Sequence, residues 1–299
     1  MKAINVKRKS WKEVLDKETT LILPAAHNAL TARLIERIGF KAYQVGGFAL
    51  VGAMHAVPDV DLEHYGEKSA AVRDIIDASE LPVMVDCDDG YGDAKNVTRT
   101  VQEYIRLGVS AVFIEDQVPP KRCGHMSGQQ IIPCENMENK IKAAIKAKDG
   151  NELFILARTD AISAEGIDKA LKRAERYLKA GADGIYLEGP EKMEDIERIG
   201  KEFRKVPLAI SVLEGGGKTP WLPPKEFEKL GFNMILYPTT VLFQATFAIE
   251  QALKNLEKGK PMPEDTSVTM KRFEDIVDFK YWANIEEKFD PSSGQSDNK

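Results

Sequence analysis

The chain has 299 residues, 43% of them hydrophobic and 30% charged, as is usual for a globular protein, and its formal net charge is −5. This length can bury a large core without disulfides or a structural metal. The acidic balance argues against nucleic-acid binding, which usually needs a positive domain. Residues 1–17 lack the apolar core of a signal peptide, and no apolar run reaches the ~18 residues of a membrane span. Because three cysteines fit a reducing compartment, we expect a cytoplasmic protein.

Eight short apolar runs alternate with longer amphipathic stretches along the chain. Near-continuous apolarity is typical of parallel strands that are covered on both faces. The predicted strands are 21–24, 42–45, 83–86, 111–115, 153–157, 184–187, 208–212 and 234–237. The predicted helices are 29–38, 95–107, 136–147, 167–180, 194–203, 224–230 and 241–256. Eight such units predict one TIM (β/α)8 barrel domain, with an open doubly wound sheet as the alternative.

The chain continues beyond the barrel, which we place at about residues 18–258. An amphipathic stretch at 272–289 lies within a helical extension that we place at about 265–289. Its apolar side chains are Phe273, Ile276, Val277, Phe279, Trp282 and Ile285. Packing on the barrel and packing on a partner subunit would each bury them. Residues 290–299 are polar and contain no aromatic residue, so we expect them to be disordered.

Acidic residues follow the predicted strands where a TIM barrel places its active site. Asp86 and Asp88 are two residues apart on an extended segment, so both project to one face. Glu115 ends the next strand, and Asp59 lies on the long loop after the second strand. Their hard oxygens predict a Mg²⁺ or Mn²⁺ site, while ordinary acidic loops and helix caps are the alternative. The cysteines and histidines lack the paired spacing of a zinc site.

Cys123 lies in a polar segment, Lys-Arg-Cys-Gly-His at 121–125. Cationic neighbours favour the thiolate, so we expect the pKa of this thiol to be lowered. Gly124 and Gly128 would allow the loop to open and close as a lid. A buried inert cysteine is the alternative for Cys123. We predict that the other two cysteines, Cys87 and Cys134, are structural and unreactive.

Groups that bind oxyanions occur at two further strand ends. Gly46 and Gly47 offer backbone N–H groups that a carboxylate can approach closely. Arg158 can hold a carboxylate through two parallel hydrogen bonds. The alternative for Arg158 is a salt bridge inside the barrel with Glu188 or Asp160. Together with a hard cation, these groups would bind a di- or tricarboxylate.

Several segments resemble motifs of the isocitrate lyase/phosphoenolpyruvate mutase superfamily. The segments are 121–126 (KRCGHM), 85–92 (VDCDDGYG), 114–117 (IEDQ), 157–160 (ARTD) and 58–59 (PD). The resemblance extends from about residue 20 to residue 282. Because full isocitrate lyases are far longer, it is the short lyases of the superfamily that the chain resembles.

This resemblance implies a barrel whose C-terminal helix is swapped with a neighbour in a homotetramer built from dimers. It implies Mg²⁺, or Mn²⁺, near Asp86 and Asp88, with Asp59 and Glu115 further out. The residues facing the keto-acid half of the ligand would be Tyr43, Gly46, Gly47 and Asp88. Those facing the other half would be Gly124, His125, Arg158, Glu188 and Ser211. Pro238 stands where related oxaloacetate hydrolases tend to carry serine.

The implied reaction is retro-aldol cleavage of a 2-hydroxy acid. A base, Tyr43 or a carboxylate, removes the hydroxyl proton. The C–C bond then breaks to leave a keto acid and an aci-carboxylate anion, which Arg158 and His125 stabilise. Cys123 then protonates the carbon as general acid. The expected substrate is 2,3-dimethylmalate, which would give pyruvate and propionate. The alternatives are a 2-methylisocitrate lyase, an oxaloacetate hydrolase, a carboxyphosphonoenolpyruvate mutase and a non-enzymatic barrel.

Overall fold

The computed structural model describes residues 8–290, which divide into two compact units at residues 244 and 245. The first unit contains eight parallel strands in one sheet, in the order β1-β8-β7-β6-β5-β4-β3-β2. The strands are β1 Leu21–Pro24, β2 Tyr43–Val45, β3 Val83–Asp86, β4 Ala111–Glu115, β5 Phe154–Thr159, β6 Gly184–Leu187, β7 Leu208–Ser211 and β8 Met234–Tyr237. A parallel bridge between Ala25 and Gln44 joins the ends of the sheet. The predicted TIM barrel is therefore confirmed, and the open doubly wound sheet is wrong.

Helices precede and connect the strands. They are α1 Trp11–Lys17, α2 Ala29–Ile38, α3 Gly47–His55, α4 Tyr65–Asp77, α5 Ala94–Leu107, α6 Cys134–Lys148, α7 Ala161–Glu165, α8 Ile167–Lys179, α9 Met193–Glu202 and α10 Pro224–Leu230. Every helix predicted for this unit is present, within two residues at each end. The helices α1, α3, α4 and α7 were not predicted. The sequence of α3, GFALVGAMH, is apolar on nearly every side, so it shows no 3.6-residue periodicity.

The alternation of side chains along each strand divides the core into two layers. In β3, Val83 and Val85 face the helices, while Met84 faces the barrel interior. The buried indole of Trp11 on α1 packs in the interior, and its Nε1 lies 3.5 Å from the sulfur of Met234. Because one part of the interior is filled in this way, the polar side chains at the carboxyl ends of the strands are left around a cavity at the opposite end.

The second unit, residues 245–290, is helical. It contains most of α11 (Thr240–Glu257), α12 (Met270–Ile276) and α13 (Phe279–Phe289). The amphipathic stretch 272–289 is thus two helices, separated at Asp278, whose φ of 54° is left-handed. The placement of the whole chain in one domain stays a prediction. The segment 290–299 was predicted to be disordered, and its residues 291–299 lie outside the described part of the chain. Within residues 8–290, no helix is long and apolar enough to cross a membrane.

Candidate active site

A cavity lies at the carboxyl ends of the strands, with about 470 Å³ of empty space when its solvent-filled mouth is included. It brings together nearly all of the predicted site residues. Those that line it are Gly46, Gly47, Asp59, Asp86, Glu115, Cys123, Gly124, His125, Arg158, Glu188, Ser211 and Pro238. The predicted residues Tyr43 and Asp88 are not among the described residues that line it.

Side-chain amides hold the loop that carries Cys123. Gln117 pairs with the backbone of Arg122, accepting from its N–H at 3.0 Å and donating to its carbonyl at 2.8 Å. The Nε2 of Gln129 lies 2.7–3.1 Å from the carbonyl oxygens of Cys123, Gly124 and Met126. The carbonyl oxygen of Gly124 also accepts from Lys218 Nζ at 3.0 Å, so the two glutamines and this lysine together stabilise one conformation of the loop.

The environment of Cys123 differs from the sequence-based expectation. Its side chain is buried, and burial together with the negative charge of Asp59 raises the pKa of the thiol to about 12. The ammonium of Lys121 does not offset this, because its Nζ is engaged by Asp59 Oδ1 at 2.5 Å and by Asp88 Oδ1 at 2.6 Å. The predicted lowering of this pKa is therefore wrong, and Cys123 is a protonated thiol.

The two other cysteines have separate environments. Cys87 is fully buried in the core between strands and helices, and burial raises the pKa of its thiol well above the usual value. Cys134 begins α6 and is partly exposed. Neither is among the described residues that line the cavity, and these positions fit the prediction that both cysteines are structural.

Backbone amides hold the carboxylate of Asp86 in place. Its Oδ2 accepts from the N–H of Gly47 at 3.0 Å, and its Oδ1 accepts from the N–H of Asp88 at 2.9 Å. Asp88 turns its own carboxylate elsewhere, with Oδ2 2.5 Å from the Nζ of Lys68 and Oδ1 against Lys121. Asp86 faces the cavity, while Asp88 lies behind it.

The donors on this side of the cavity fit a hard cation. Asp59, Asp86 and Glu115 line the cavity, and Oε1 of Glu115 is buried without a hydrogen-bond partner in residues 8–290. The described residues contain no cluster of three or more ligating side chains arranged as a ready-made metal site. Magnesium takes as few as one or two direct carboxylate ligands and keeps several waters, so the oxygens present suit it.

Arg158 is held by carboxylates of the barrel. Its Nε and one terminal nitrogen, Nη2, bind the two oxygens of Asp160 at 3.0 and 2.9 Å, and Nε lies 3.3 Å from Glu115 Oε2. The salt bridge considered from the sequence is thus present. The other terminal nitrogen, Nη1, lies 3.6 Å from Glu188 Oε2, too far for a hydrogen bond, so it retains donor capacity for a ligand.

His125 and Glu188 form the neighbouring part of the wall. The N–H of Lys218 donates to His125 Nδ1 at 3.0 Å, which places the ring proton on Nε2. That Nε2 lies 3.0 Å from Glu188 Oε1, and the hydroxyl of Tyr186 donates to Oε2 of the same carboxylate. Burial alone would raise the pKa of Glu188, but Arg158 and His125 lower it to about 2.

Tyr43 lies outside the site. Its side chain is fully buried in the core between the strands and the helices, where burial raises the pKa of its hydroxyl. The expectation that it faces the substrate is wrong, because alternation along β2 directs the next side chain, Gln44, into the cavity. Gln44 is anchored there by a 3.0 Å hydrogen bond from Nε2 to the carbonyl of Leu23.

Sequence reasoning also missed Lys68, on α4. A signal was available, since Lys68 precedes Val72, Ile75 and Ile76 at the spacing of one buried helical stripe. A lysine on such a stripe requires a buried partner, which here is Asp88. The aromatic wall beside Arg158, formed by Phe113 and Tyr186, was missed as well; each aromatic side chain occupies an interior position of an ordinary apolar strand.

Comparison with known sequences gives one family and three informative relatives. The sequence model of the phosphoenolpyruvate phosphomutase family matches residues 12–257. The 2,3-dimethylmalate lyase of Eubacterium barkeri is 40% identical over 93% of this chain and 96% of its own. The 2-methylisocitrate lyase of Aeropyrum pernix is 36% identical over 90% and 86%. The chloroplastic carboxyvinyl-carboxyphosphonate phosphorylmutase of Arabidopsis thaliana is 33% identical over 92% and 83%.

Solved structures show the same fold at lower identity. An oxaloacetate acetylhydrolase with the inhibitor 3,3-difluorooxalacetate has a TM-score of 0.88 at 26% identity, covering 95% of this chain and 97% of that one. A 2,3-dimethylmalate lyase has a TM-score of 0.87 at 26% identity, covering 96% of each chain. A phosphonopyruvate hydrolase solved with oxalate and Mg²⁺ has a TM-score of 0.82 at 26% identity, covering 93% and 97%.

Proposed function

Because the chain belongs to the phosphoenolpyruvate mutase/isocitrate lyase superfamily, we propose that it is a divalent-metal-dependent carbon–carbon lyase acting on a substituted 2-hydroxy dicarboxylate. The substrate that we favour is 2,3-dimethylmalate, cleaved to pyruvate and propionate. The observation that carries the proposal is the buried, protonated thiol of Cys123 at a carboxylate-lined cavity, since such a thiol can deliver a proton to carbon. The name of the relative at 40% identity supports this choice of substrate.

The two kinds of cavity wall suit the two kinds of group on such a substrate. Carboxylates of Asp59, Asp86 and Glu115 would hold Mg²⁺, which supplies charge stabilisation for the hydroxyl oxygen and the adjacent carboxylate. The second carboxylate can reach Nη1 of Arg158 and the Nε2 side of His125. Apolar side chains complete the lining and can receive the methyl groups: Phe48, Leu213, Leu236 and Pro238.

The residues of the chain can perform the required proton transfers. With Tyr43 in the core, the base that takes the hydroxyl proton is a cavity carboxylate. The electron pair of the C–C bond then moves onto the α-carbon of the departing propionate, and the positive charge of Arg158 stabilises the anion that is delocalised into its carboxylate. Cys123 protonates that carbon to give propionate. One proton leaves oxygen and one reaches carbon, so cleavage consumes no net proton.

A substrate panel tests the proposal. We expect the purified chain with Mg²⁺ to release pyruvate and propionate from 2,3-dimethylmalate, to lose this activity in EDTA and to regain it when Mg²⁺ is added back. Succinate release from 2-methylisocitrate at a higher kcat/KM would assign the alternative lyase activity instead. Cleavage that persists fully in EDTA would contradict the metal requirement.

Two other reactions belong in the same panel. Oxaloacetate hydrolysis, suggested by the first structural neighbour, would release oxalate and acetate. Pro238 lines the cavity without a hydroxyl, and this argues against it. Formation of a P–C bond, the reaction of a carboxyphosphonoenolpyruvate mutase, would be detected by phosphorus NMR.

We also propose that the chain assembles as a homotetramer of dimers that swap C-terminal helices. Several large apolar side chains of the second unit are exposed in the single chain: Phe273, Phe279, Trp282, Ile285 and Phe289. Exposed apolar surface of this extent is typical of a subunit interface. Light scattering after gel filtration should give four times the mass of 33.3 kDa, and deletion of residues 270–289 should lower it. A monomer at micromolar concentration would contradict the assembly.

A further inference from the structure

Lys68 is a buried cation placed directly behind the carboxylates of the cavity. It is 1% exposed, and its Nζ lies 2.5 Å from Asp88 Oδ2 and 3.4 Å from the carbonyl oxygen of Asp86. The ring centroid of Tyr91 lies 5.7 Å from the same nitrogen. Burial opposes an ammonium, and the ion pair with the Asp88 carboxylate offsets that cost.

Both oxygens of Asp88 are taken by lysines. Oδ2 pairs with Lys68, and Oδ1 pairs with Lys121 at 2.6 Å. The Asp88 side chain is only 4% exposed, and it is not among the described residues that line the cavity. A cation in the cavity must therefore compete with two ammonium groups for the charge of Asp88.

Lys68 is also close enough to act on the cavity wall itself. A Cβ added to Gly47 would lie 3.3 Å from the Nζ of Lys68 and 3.2 Å from Oδ2 of Asp86. Gly47 and Asp86 both line the cavity, so the ammonium lies just behind the part of the wall that contains a candidate metal ligand. A buried positive charge close to the site opposes the binding of a divalent cation.

We propose that Lys68 sets the divalent-cation affinity of the site by serving as the counter-ion of Asp88, which withholds Asp88 from the metal and keeps the affinity low. The inference rests on the proposed function, because it concerns the cation which that reaction requires. Lys68 is a positioning residue, since it pairs with the carboxylate of Asp88 and is not among the described residues that line the cavity. A weakly held cation would bind together with the carboxylate substrate, whose own oxygens complete its coordination.

The test measures Mn²⁺ binding directly, by electron paramagnetic resonance titration of the full chain without substrate. Lys68→Met removes the charge and keeps a similar volume, while Lys68→Gln removes the charge and keeps a donor toward Asp88. Both variants should bind Mn²⁺ about tenfold or more tightly than the wild type. Lys68→Arg, which retains the charge, should bind Mn²⁺ as weakly as the wild type does.

Lys140 on α6 provides the matched control. It is another buried lysine, and its Nζ lies 3.2 Å from Oδ2 and 2.8 Å from the carbonyl oxygen of the next aspartate, Asp89. Lys140→Met removes the same charge from a neighbouring pair that does not line the cavity within the described residues. It should change Mn²⁺ affinity by less than about twofold.

Each outcome decides the inference. Unchanged or weaker Mn²⁺ binding by Lys68→Met and Lys68→Gln would overturn it, as would an equal shift in Lys140→Met. If the wild type binds Mn²⁺ and these variants match it, the inference fails while the proposed function stands. If neither the variants nor the wild type binds Mn²⁺ without substrate, the inference fails, because removal of the Lys68 charge should make binding detectable. The EDTA experiment then decides the metal requirement of the proposed function separately. Circular dichroism reports folding, and Lys68→Gln carries the test if Lys68→Met does not fold.

Discussion

The backbone N–H of Cys123 donates a 3.1 Å hydrogen bond to the carbonyl oxygen of Asp59. This bond joins the loop that carries the thiol to the loop that carries one of the cavity carboxylates. The Asp59 side chain is also paired with Lys121 at 2.5 Å, two residues before the cysteine. Because the two loops are joined twice, the position of the thiol depends on the segment that supplies a candidate metal ligand.

Replacement of Cys123 by serine should remove catalysis and leave the fold intact. Serine is nearly isosteric, but its hydroxyl is a far weaker acid than a thiol, so protonation of carbon becomes slow. We expect kcat for C–C cleavage to fall about 10³-fold, with unchanged Mn²⁺ binding and an unchanged Tm. Cys134→Ser, at the start of α6, is the control and should cleave at the wild-type rate. Near-normal turnover by Cys123→Ser would rule out the general-acid role.

The raised pKa of Cys123 predicts slow alkylation. Because the thiolate is the reactive form, a pKa of about 12 leaves about a thousandfold less of it than in a free cysteine near neutral pH. Partly exposed Cys134 should react with iodoacetamide first, as mapped by mass spectrometry. Modification of Cys123 should rise steadily from about pH 7 to about pH 10 without a plateau. A plateau near neutral pH would indicate a lowered pKa.

Gly124 has no room for a side chain. An added Cβ would lie 2.3 Å from Glu188 Cγ and 2.5 Å from Nη2 of Arg158, both fixed inside the barrel. Gly124→Ala should therefore displace the loop and lower kcat/KM about 100-fold while the Tm changes little. Gly66→Ala is the matched control, because nothing lies within 4 Å of its added Cβ and the site is helical. Equal activity of the two variants would show that the loop does not need this close approach.

The charge of Glu188 should matter through His125. Because its pKa is lowered to about 2, Glu188 stays ionised over the working pH range and presents a negative charge to Nε2 of His125. Glu188→Gln should reduce kcat about 10- to 100-fold. Because Glu188 is already ionised throughout the working range, the reduction should be about the same at every pH between about 6 and about 9. Wild-type turnover by Glu188→Gln would show that the charge beside His125 is not needed.

The sequence alone was sufficient to predict the barrel and most of the residues that line the cavity. The strand runs, the glycine-terminated helices and the polar strand ends are local patterns, and each is visible within about ten residues. Parallel strands that close into a barrel then bring every strand end to one rim, so the strand-end residues Asp86, Glu115, Arg158 and Glu188 meet without any further information.

Contacts between distant segments decided the remaining features. Burial by surrounding elements and the charge of Asp59 set the protonation of Cys123, although its sequence neighbours are cationic. The role of Lys68 depends on Asp88, which lies 20 residues away along the chain. Gln44 faces the cavity in place of Tyr43 because side chains alternate along the three-residue strand β2. Sequence neighbours reveal which groups a loop contains, but charge and burial act through space, so only the tertiary structure determines which groups are paired, protonated or withheld.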